Sequence, residues 1–181
     1  MNSQIIKDSR LAEEYLRVEH PSGLTMLLYP MKGFSTAYAM FSTKYGSIDT
    51  CFQRGEDADF VKVPEGIAHY LEHKMFESEE GDAFEKYAQT GASANAFTSF
   101  DKTCYLFACT DRFQESLEIL LDCVTHPYFT KETVEKEQGI IGQEIRMYED
   151  DPGWRVMFNL LQSLYQNNSV KVDIAGSIES I

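Results

Sequence analysis

The chain has 181 residues, 43% hydrophobic and 25% charged, with 16 basic against 29 acidic side chains and a formal net charge of −13. This is the composition of a soluble globular protein with enough chain for a sizeable core. The acidic balance excludes a binder of nucleic-acid phosphates and argues against adhesion to an anionic membrane. Residues 1–19 hold no apolar leader core and no later run reaches membrane-spanning length, so a cytoplasmic location is expected.

In chain order, residues 15–19 and 24–29 read as two strands joined by the turn Pro21-Ser22-Gly23. Residues 35–42 read as a further, buried strand with Gly46 in the turn after it, and residues 49–56 break periodicity and read as a loop. Phe60-Val61-Lys62-Val63 leads to Pro64, which suits the first turn of a helix. On that helix His69, Glu72 and His73 share one face, continued by Phe76, while Ile67, Leu71 and Met75 lie on the other side, where they can pack into a core. Asp82 caps the next helix, Glu85 completes a capping-box pattern, and Gly91 ends it. Residues 92–99 and 103–109 read as a β-hairpin turning at Phe100-Asp101-Lys102. Its second strand is apolar on both faces and so is expected at the centre of its sheet.

Asp111 then caps a helix whose Phe113, Leu117, Leu120, Leu121 and Val124 follow a 3.6-residue period, and Pro127 ends it. Thr130 opens the longest helix, reaching about Tyr148. Asp151-Pro152 starts the last helix, over residues 154–165, and the tail 170–181 carries no punctuation. Strands early, helices interleaved and a late pair of long helices predict one α+β domain over residues 1–181, with a mostly antiparallel sheet and helices on one face. The unpunctuated end predicts a domain truncated there. The four cysteines, Cys51, Cys104, Cys109 and Cys123, form no CxxC pair and are expected as reduced, mostly buried thiols.

Two imidazoles one helical turn apart can grip a divalent metal, and a carboxylate beside them can handle a proton. A hydrolytic zinc takes three protein ligands and keeps a fourth position for water. The longest helix offers Glu137 and Glu144, two turns apart on the face that also carries Val134, Ile141 and Tyr148. Carboxylates in an apolar stripe are costly unless paired or bound to metal. Gly139 and Gly142 weaken the same helix by roughly 1 kcal/mol each relative to alanine, which predicts a close approach of another backbone there. Each residue also has a bland alternative: a lone histidine is usually structural, and Glu144 alone would be an ordinary helix acid. His20 and His126 read as structural or solvated, and the acidic stretches 77–82 and 149–151 as solvated faces.

The stretch Gly66 to Phe76, with its His69-x-x-Glu72-His73 motif, resembles the pitrilysin/insulinase family of inverzincins. Three more segments are similar to that family in the right order. They are the opening strand after Pro21-Ser22-Gly23, the run Gly91 to Thr98 of form G-x-x-x-N-A-x-T, and Glu137 to Glu144 with spacing E-x6-E. The resemblance implies a mitochondrial-processing-peptidase/LuxS-like metallohydrolase fold and a zinc ion held by His69, His73 and Glu144. It implies Glu72 as general base, Glu137 as a supporting acid near the site, and Asn95, Ala96 and Phe97 on an edge strand that takes peptide by β-augmentation.

The same resemblance implies a zinc metalloendopeptidase acting on peptides or unfolded segments, within a longer bacterial-type protein. A second half or a partner subunit, in a homo- or heterodimer, would complete its chamber, so the 181-residue chain alone is expected to be weak or inactive. The alternative is a non-catalytic family member serving as a structural or peptide-binding subunit. Loss of the motif would mark that class, and every motif residue is present.

Overall fold

A computed structural model describes residues 2–55 and 59–181. Met1, and Glu56 at the end of the expected loop, lie outside the described residues. The chain divides into two compact units, Met1–Ser35 and Thr36–Ile181.

The first unit is an antiparallel meander of β1 (Asn2–Asp8), β2 (Glu13–Glu19) and β3 (Thr25–Leu28). Gly23, at φ +91°, makes the β2–β3 turn, where its N–H donates to the His20 carbonyl at 3.0 Å. Strand β1 has no signal of its own in the sequence. Its residues Asn-Ser-Gln-Ile-Ile-Lys-Asp lack an alternating apolar face, and Ile5 is exposed. It is held by pairing, including Lys7 opposite Glu14, with an Nζ–Oε2 separation of 2.7 Å.

The second unit opens with β4 (Ala37–Thr43), β5 (Cys51–Gln53), β6 (Phe60–Lys62), α1 (Ile67–Lys74), β7 (Glu77–Ser78), β8 (Gly81–Asp82) and α2 (Ala83–Thr90). It continues with β9 (Ser93–Thr98), β10 (Thr103–Cys109), α3 (Phe113–Thr125), α4 (Lys131–Glu149) and α5 (Pro152–Leu164). The main sheet has the order β4–β10–β9, all antiparallel, so β10 is central as its two apolar faces predict. On one face Tyr105, Phe107 and Cys109 pack with Phe76, Ala83, Tyr87 and Leu120, which seats α2 and α3 against the sheet. The result is the mixed α+β architecture expected. All four cysteines are free. Cys104 and Cys109 are buried, Cys123 is half-buried and Cys51 is exposed. Among the described residues, no helix is long and apolar enough to cross a membrane.

Several local expectations are corrected. Residues 49–56 contain β5, which pairs with β6 through Cys51 opposite Lys62; three residues are too few to show a period. Pro64 lies ahead of α1, whose N-cap is Gly66 in a left-handed conformation at φ 86°. Asp82 does cap α2, through the Phe84 N–H at 2.8 Å. Asp111 does not cap α3: the N-cap position is Arg112, and Asp111 Oδ1 accepts the Arg112 N–H at 2.7 Å. The caps Thr130 and Asp151 stand as expected, donor N–H groups coming from Thr133 and Trp154.

Two corrections bear on the site. A Cβ built on Gly139 or Gly142 would meet nothing within 4 Å, so no neighbouring backbone is pressed against α4 there. Helix α1 also buries the opposite side from the one its hydropathy predicts. Ala68, His69, Tyr70, Glu72 and Lys74 are buried, whereas Ile67, Leu71 and Met75 are only half-buried. The reason is that α1 packs against β9 and β10 as well as against α4, so its polar face has neighbouring elements of its own. Phe76, beyond the C-cap, leaves the histidine face and enters the sheet core, 4.5 Å from Phe84 between ring centroids.

Candidate metal centre

Helices α1 and α4 meet along a seam in which Tyr70, Ile141, Ile145 and Ala175 form a small apolar cluster. The Tyr70 hydroxyl donates to the Val134 carbonyl at 2.5 Å, fastening the first turn of α4 to α1. From that fastening, Glu137 and Glu144 follow along the α4 face turned to the two histidines. His73 Nδ1 lies 2.8 Å from Glu137 Oε1. A carboxylate only accepts, so Nδ1 carries a proton toward Glu137, and Nε2, 3.3 Å from Glu144 Oε2, donates to that acid when the imidazole is charged. His69 Nε2 lies 3.7 Å from Glu144 Oε1. One donor atom each from His69, His73 and Glu144 falls within 4.8 Å of the others.

Two imidazole nitrogens and one carboxylate oxygen form a donor set suited to zinc, and the protonation of the site points the same way. The hydrogen bond to Glu144, with Glu137 behind it, pushes His73 up to about 9 against the effect of burial. Glu144 is held low, first by His73. Burial lowers His69, whose Nδ1 is buried with no hydrogen-bond partner among the described residues. The acids thus draw positive charge into the space between the two Nε2 atoms, which is where a cation fits.

Glu72, one residue before His73, points to the sheet. Its Oε2 accepts a hydrogen bond from Thr98 Oγ1 at 2.6 Å. Burial raises its carboxyl, and the Thr98 bond works in the opposite direction. Thr98 sits on β9, which pairs only with β10 among the described residues and is therefore an edge. A cavity of about 190 Å³ opens between this edge and the helices, walled by Ala96, Phe97 and Thr98 on one side and His69, His73 and Glu144 on the other. Asn95 is exposed on the same strand, outside those walls, and its Oδ1 accepts the Ala96 N–H at 2.9 Å.

Some neighbours of the site were not singled out in the sequence. Lys74 is completely buried, paired with Glu77 and 5.9 Å from the centre of the Phe129 ring. Glu77 also faces Lys136 at 3.9 Å, so the first acid of the stretch 77–82 is an internal ion-pair partner, not part of a solvated face. Glu72, Tyr148, Trp154, Ile174 and Ala175 complete the cavity wall. Thr98 had a signal available: alternation along β9 puts it on the same face as Ala96. Lys74 had only the acid Glu77 three residues on, and nothing local says that a lysine at the end of α1 is buried.

Residues 54–177 match the family model described as insulinase, peptidase family M16. An uncharacterized zinc protease of Bacillus subtilis (strain 168), YmfH, is 50% identical over 176 residues, covering 97% of this chain and 41% of that protein. Another uncharacterized zinc protease of the same organism, YmxG, is 33% identical over 121 residues, 64% of this chain and 30% of that one. Among solved structures, an M16-like peptidase from Alicyclobacillus acidocaldarius superposes with a TM-score of 0.87 at 43% identity, covering 92% of this chain and 39% of the other. Pitrilysin superposes at 0.78 with 19% identity, over 98% of this chain and 19% of pitrilysin, a likeness of fold. The chain thus spans 41% of the length of YmfH.

Proposed function

The chain belongs to the insulinase family of peptidases, M16, and from that premise we propose that it carries the zinc centre of a metalloendopeptidase. The observation that carries the reading is the convergence of His69, His73 and Glu144 donor atoms within 4.8 Å, with a buried carboxylate one residue away. His69, His73 and Glu144 would hold the ion. Held there, zinc would supply a Lewis acid able to polarise a scissile carbonyl and to lower the pKa of water toward ~7.

The remaining chemistry belongs to the protein. Glu137 keeps the proton on His73 Nδ1 and so keeps Nε2 available as a ligand atom. Thr98 holds Oε2 of Glu72, which leaves Oε1 to accept a proton from water and return it to the leaving amine. Burial strengthens Glu72 as a base by raising its carboxyl above the usual glutamate value. The β9 edge, with Asn95, Ala96 and Phe97, would take an extended peptide as an added strand. Recognition through backbone groups makes few demands on sequence, which fits peptides and unfolded segments as substrates. The reading places the protein in the cytoplasm. It adds a second half or a partner subunit, in a homo- or heterodimer, to close the chamber, because the chain spans only 41% of YmfH. The 181-residue chain alone is then weak or inactive.

Metal analysis after dialysis tests the centre. The wild-type chain should retain about one zinc, and His73→Ala and Glu144→Gln should lose it. Full retention by Glu144→Gln would overturn Glu144 as the third ligand, and a wild-type chain that binds no zinc would overturn the centre itself.

A further inference from the structure

The tail that carries no punctuation in sequence is built into the flank of the metal centre. After a 3-10 turn at Ser169–Lys171, the chain folds at Asp173, whose Oδ1 accepts the Ala175 N–H at 3.0 Å and whose carbonyl accepts the Gly176 N–H at 3.0 Å. This turn is pressed onto the start of α1. A Cβ on Gly66 would lie 2.3 Å from the Ala175 carbonyl oxygen, and one on Gly176 would lie 2.6 Å from the Glu65 carbonyl oxygen. Both glycines have positive φ, 86° and 76°, so neither position accepts another residue without strain. The approach fixes the turn against the helix that carries His69.

The other end of the same turn reaches α5, which in turn packs on the helix that carries Glu144. Asp173 Oδ2 accepts the indole N–H of Trp154 at 2.5 Å. The indole stacks on Tyr148, with ring centroids 4.6 Å apart and planes 21° from parallel. Tyr148 lies one turn beyond Glu144 on the same face of α4, and both side chains wall the cavity. The chain of contacts therefore runs Asp173, Trp154, Tyr148, and Tyr148 stands beside Glu144 on the cavity wall.

We propose that Asp173 is a positioning residue of the metal centre: anchored to the start of α1, it holds Trp154 against Tyr148 and thereby sets where Glu144 stands relative to His69. The inference rests on the proposed zinc centre and assigns it a support that the two-histidine motif does not contain. Glu137 supports His73 by direct contact, whereas Asp173 supports the third ligand through two aromatic rings. The indole N–H bond to Asp173 is a side-chain contact that can be removed without touching a ligand.

Zinc dissociation constants of the 181-residue chain, measured by competition with a chromophoric chelator, test this. Asp173→Ala should weaken zinc binding by about 10-fold, the lower end of what loss of an outer partner of a metal ligand costs. Asp173→Asn keeps one acceptor oxygen, which can serve the indole at the expense of the Ala175 N–H, and should stay within about 3-fold of wild type, since the indole bond and not the charge is what matters. Trp154→Phe keeps the ring stack and removes the donor. It should weaken zinc binding as well, and the double variant should be no worse than Asp173→Ala alone, because that variant already removes the indole bond together with the Oδ1 bond to Ala175.

Trp154 is the only tryptophan, so its emission reports on the same contact: zinc should shift it in wild type and shift it less in Asp173→Ala. A lowered melting temperature with zinc affinity unchanged would make Asp173 merely structural and overturn the inference, as would additive effects in the double variant. If Asp173→Ala does not fold, Trp154→Phe, which keeps its ring, decides the matter. Weaker zinc binding supports the chain of contacts, and unchanged binding overturns it. A wild-type chain that binds no zinc overturns the centre and this inference with it, whereas a wild-type chain that binds zinc beside unaffected variants overturns this inference alone.

Discussion

Helices α1 and α5 invert the usual relation between hydropathy and burial, in opposite senses. Helix α1 buries His69, Glu72 and Lys74, while its Ile67, Leu71 and Met75 stay half-exposed. Helix α5 buries only Phe158 and leaves Val156, Leu160 and Leu164 exposed by 68%, 55% and 63%, spaced four residues apart on one face. Burying a polar group is costly unless it is hydrogen-bonded or paired. In α1 Thr98 partners Glu72 and Glu77 partners Lys74, while His69 faces Glu144 through Nε2 at 3.7 Å and leaves only its Nδ1 without a hydrogen-bond partner among the described residues. Leaving an apolar side chain in water forgoes only its transfer free energy, and isolated exposed apolar residues are common. The difference teaches where to look for chemistry: buried polar groups with dedicated partners mark a site, while an exposed apolar stripe marks only an uncovered surface.

The strongest way to break the comparison is at Glu72. In the full-length protein, Glu72→Gln keeps an acceptor for Thr98 and leaves all three ligands in place. Zinc content should hold while kcat/KM on a quenched peptide falls by about 10²- to 10⁴-fold. Activity within about threefold of wild type would remove Glu72 as the base. Next in size is Lys74. Lys74→Met keeps the length of the side chain but leaves Glu77 in a half-buried position with only Lys136 nearby, and should destabilise the chain by about 3 kcal/mol. Urea unfolding measures it, and a neutral result would mean that the buried ion pair contributes nothing over an apolar contact.

A third effect follows from His73, raised from 6.5 to about 9 in the metal-free chain. Because its folded value lies above its unfolded one, the stability contributed by its proton is complete below about pH 6.5 and is lost as pH rises toward 9. Zinc must displace that proton, so apparent zinc affinity should rise across the same window and level off above it. Flat affinity between pH 6.5 and 9 would contradict the coupling of His73 to Glu144 and Glu137. The smallest effect is expected on α5, where Val156→Ala and Leu160→Ala should change stability by no more than about 0.5 kcal/mol each. A loss above about 2 kcal/mol at either position would show that the stripe is covered in solution, and would dissolve the contrast with α1.

Much of the scaffold was legible in the sequence because its signals are local. Asp151-Pro152 announces α5, Thr130 announces α4, and Gly91 ends α2 in the left-handed conformation that glycine adopts readily. The two apolar faces of residues 103–109 placed β10 at the centre of its sheet before any partner was known. Strands β1 and β5 were illegible for the converse reason, since each is made by its neighbour and not by a pattern of its own. Glycine misleads on α4: Gly139 and Gly142 promise a close approach that does not occur, while Gly46, Gly66 and Gly176 are the glycines at which a Cβ would strike neighbouring backbone.

At the centre itself, the sequence by itself determined which side chains share a helix face, because three- and four-residue spacing is a property of covalent geometry and the helical repeat. It put His69 beside His73 and Glu137 in line with Glu144. Only the tertiary structure decided that Glu137 takes Nδ1 of His73 while Glu144 faces the Nε2 atoms of both histidines, that Thr98 holds Glu72, and that Asp173 stands behind Trp154. Those partners lie far apart along the chain. Which atoms meet is set by how α1, α4 and β9 pack, and no local spacing encodes that.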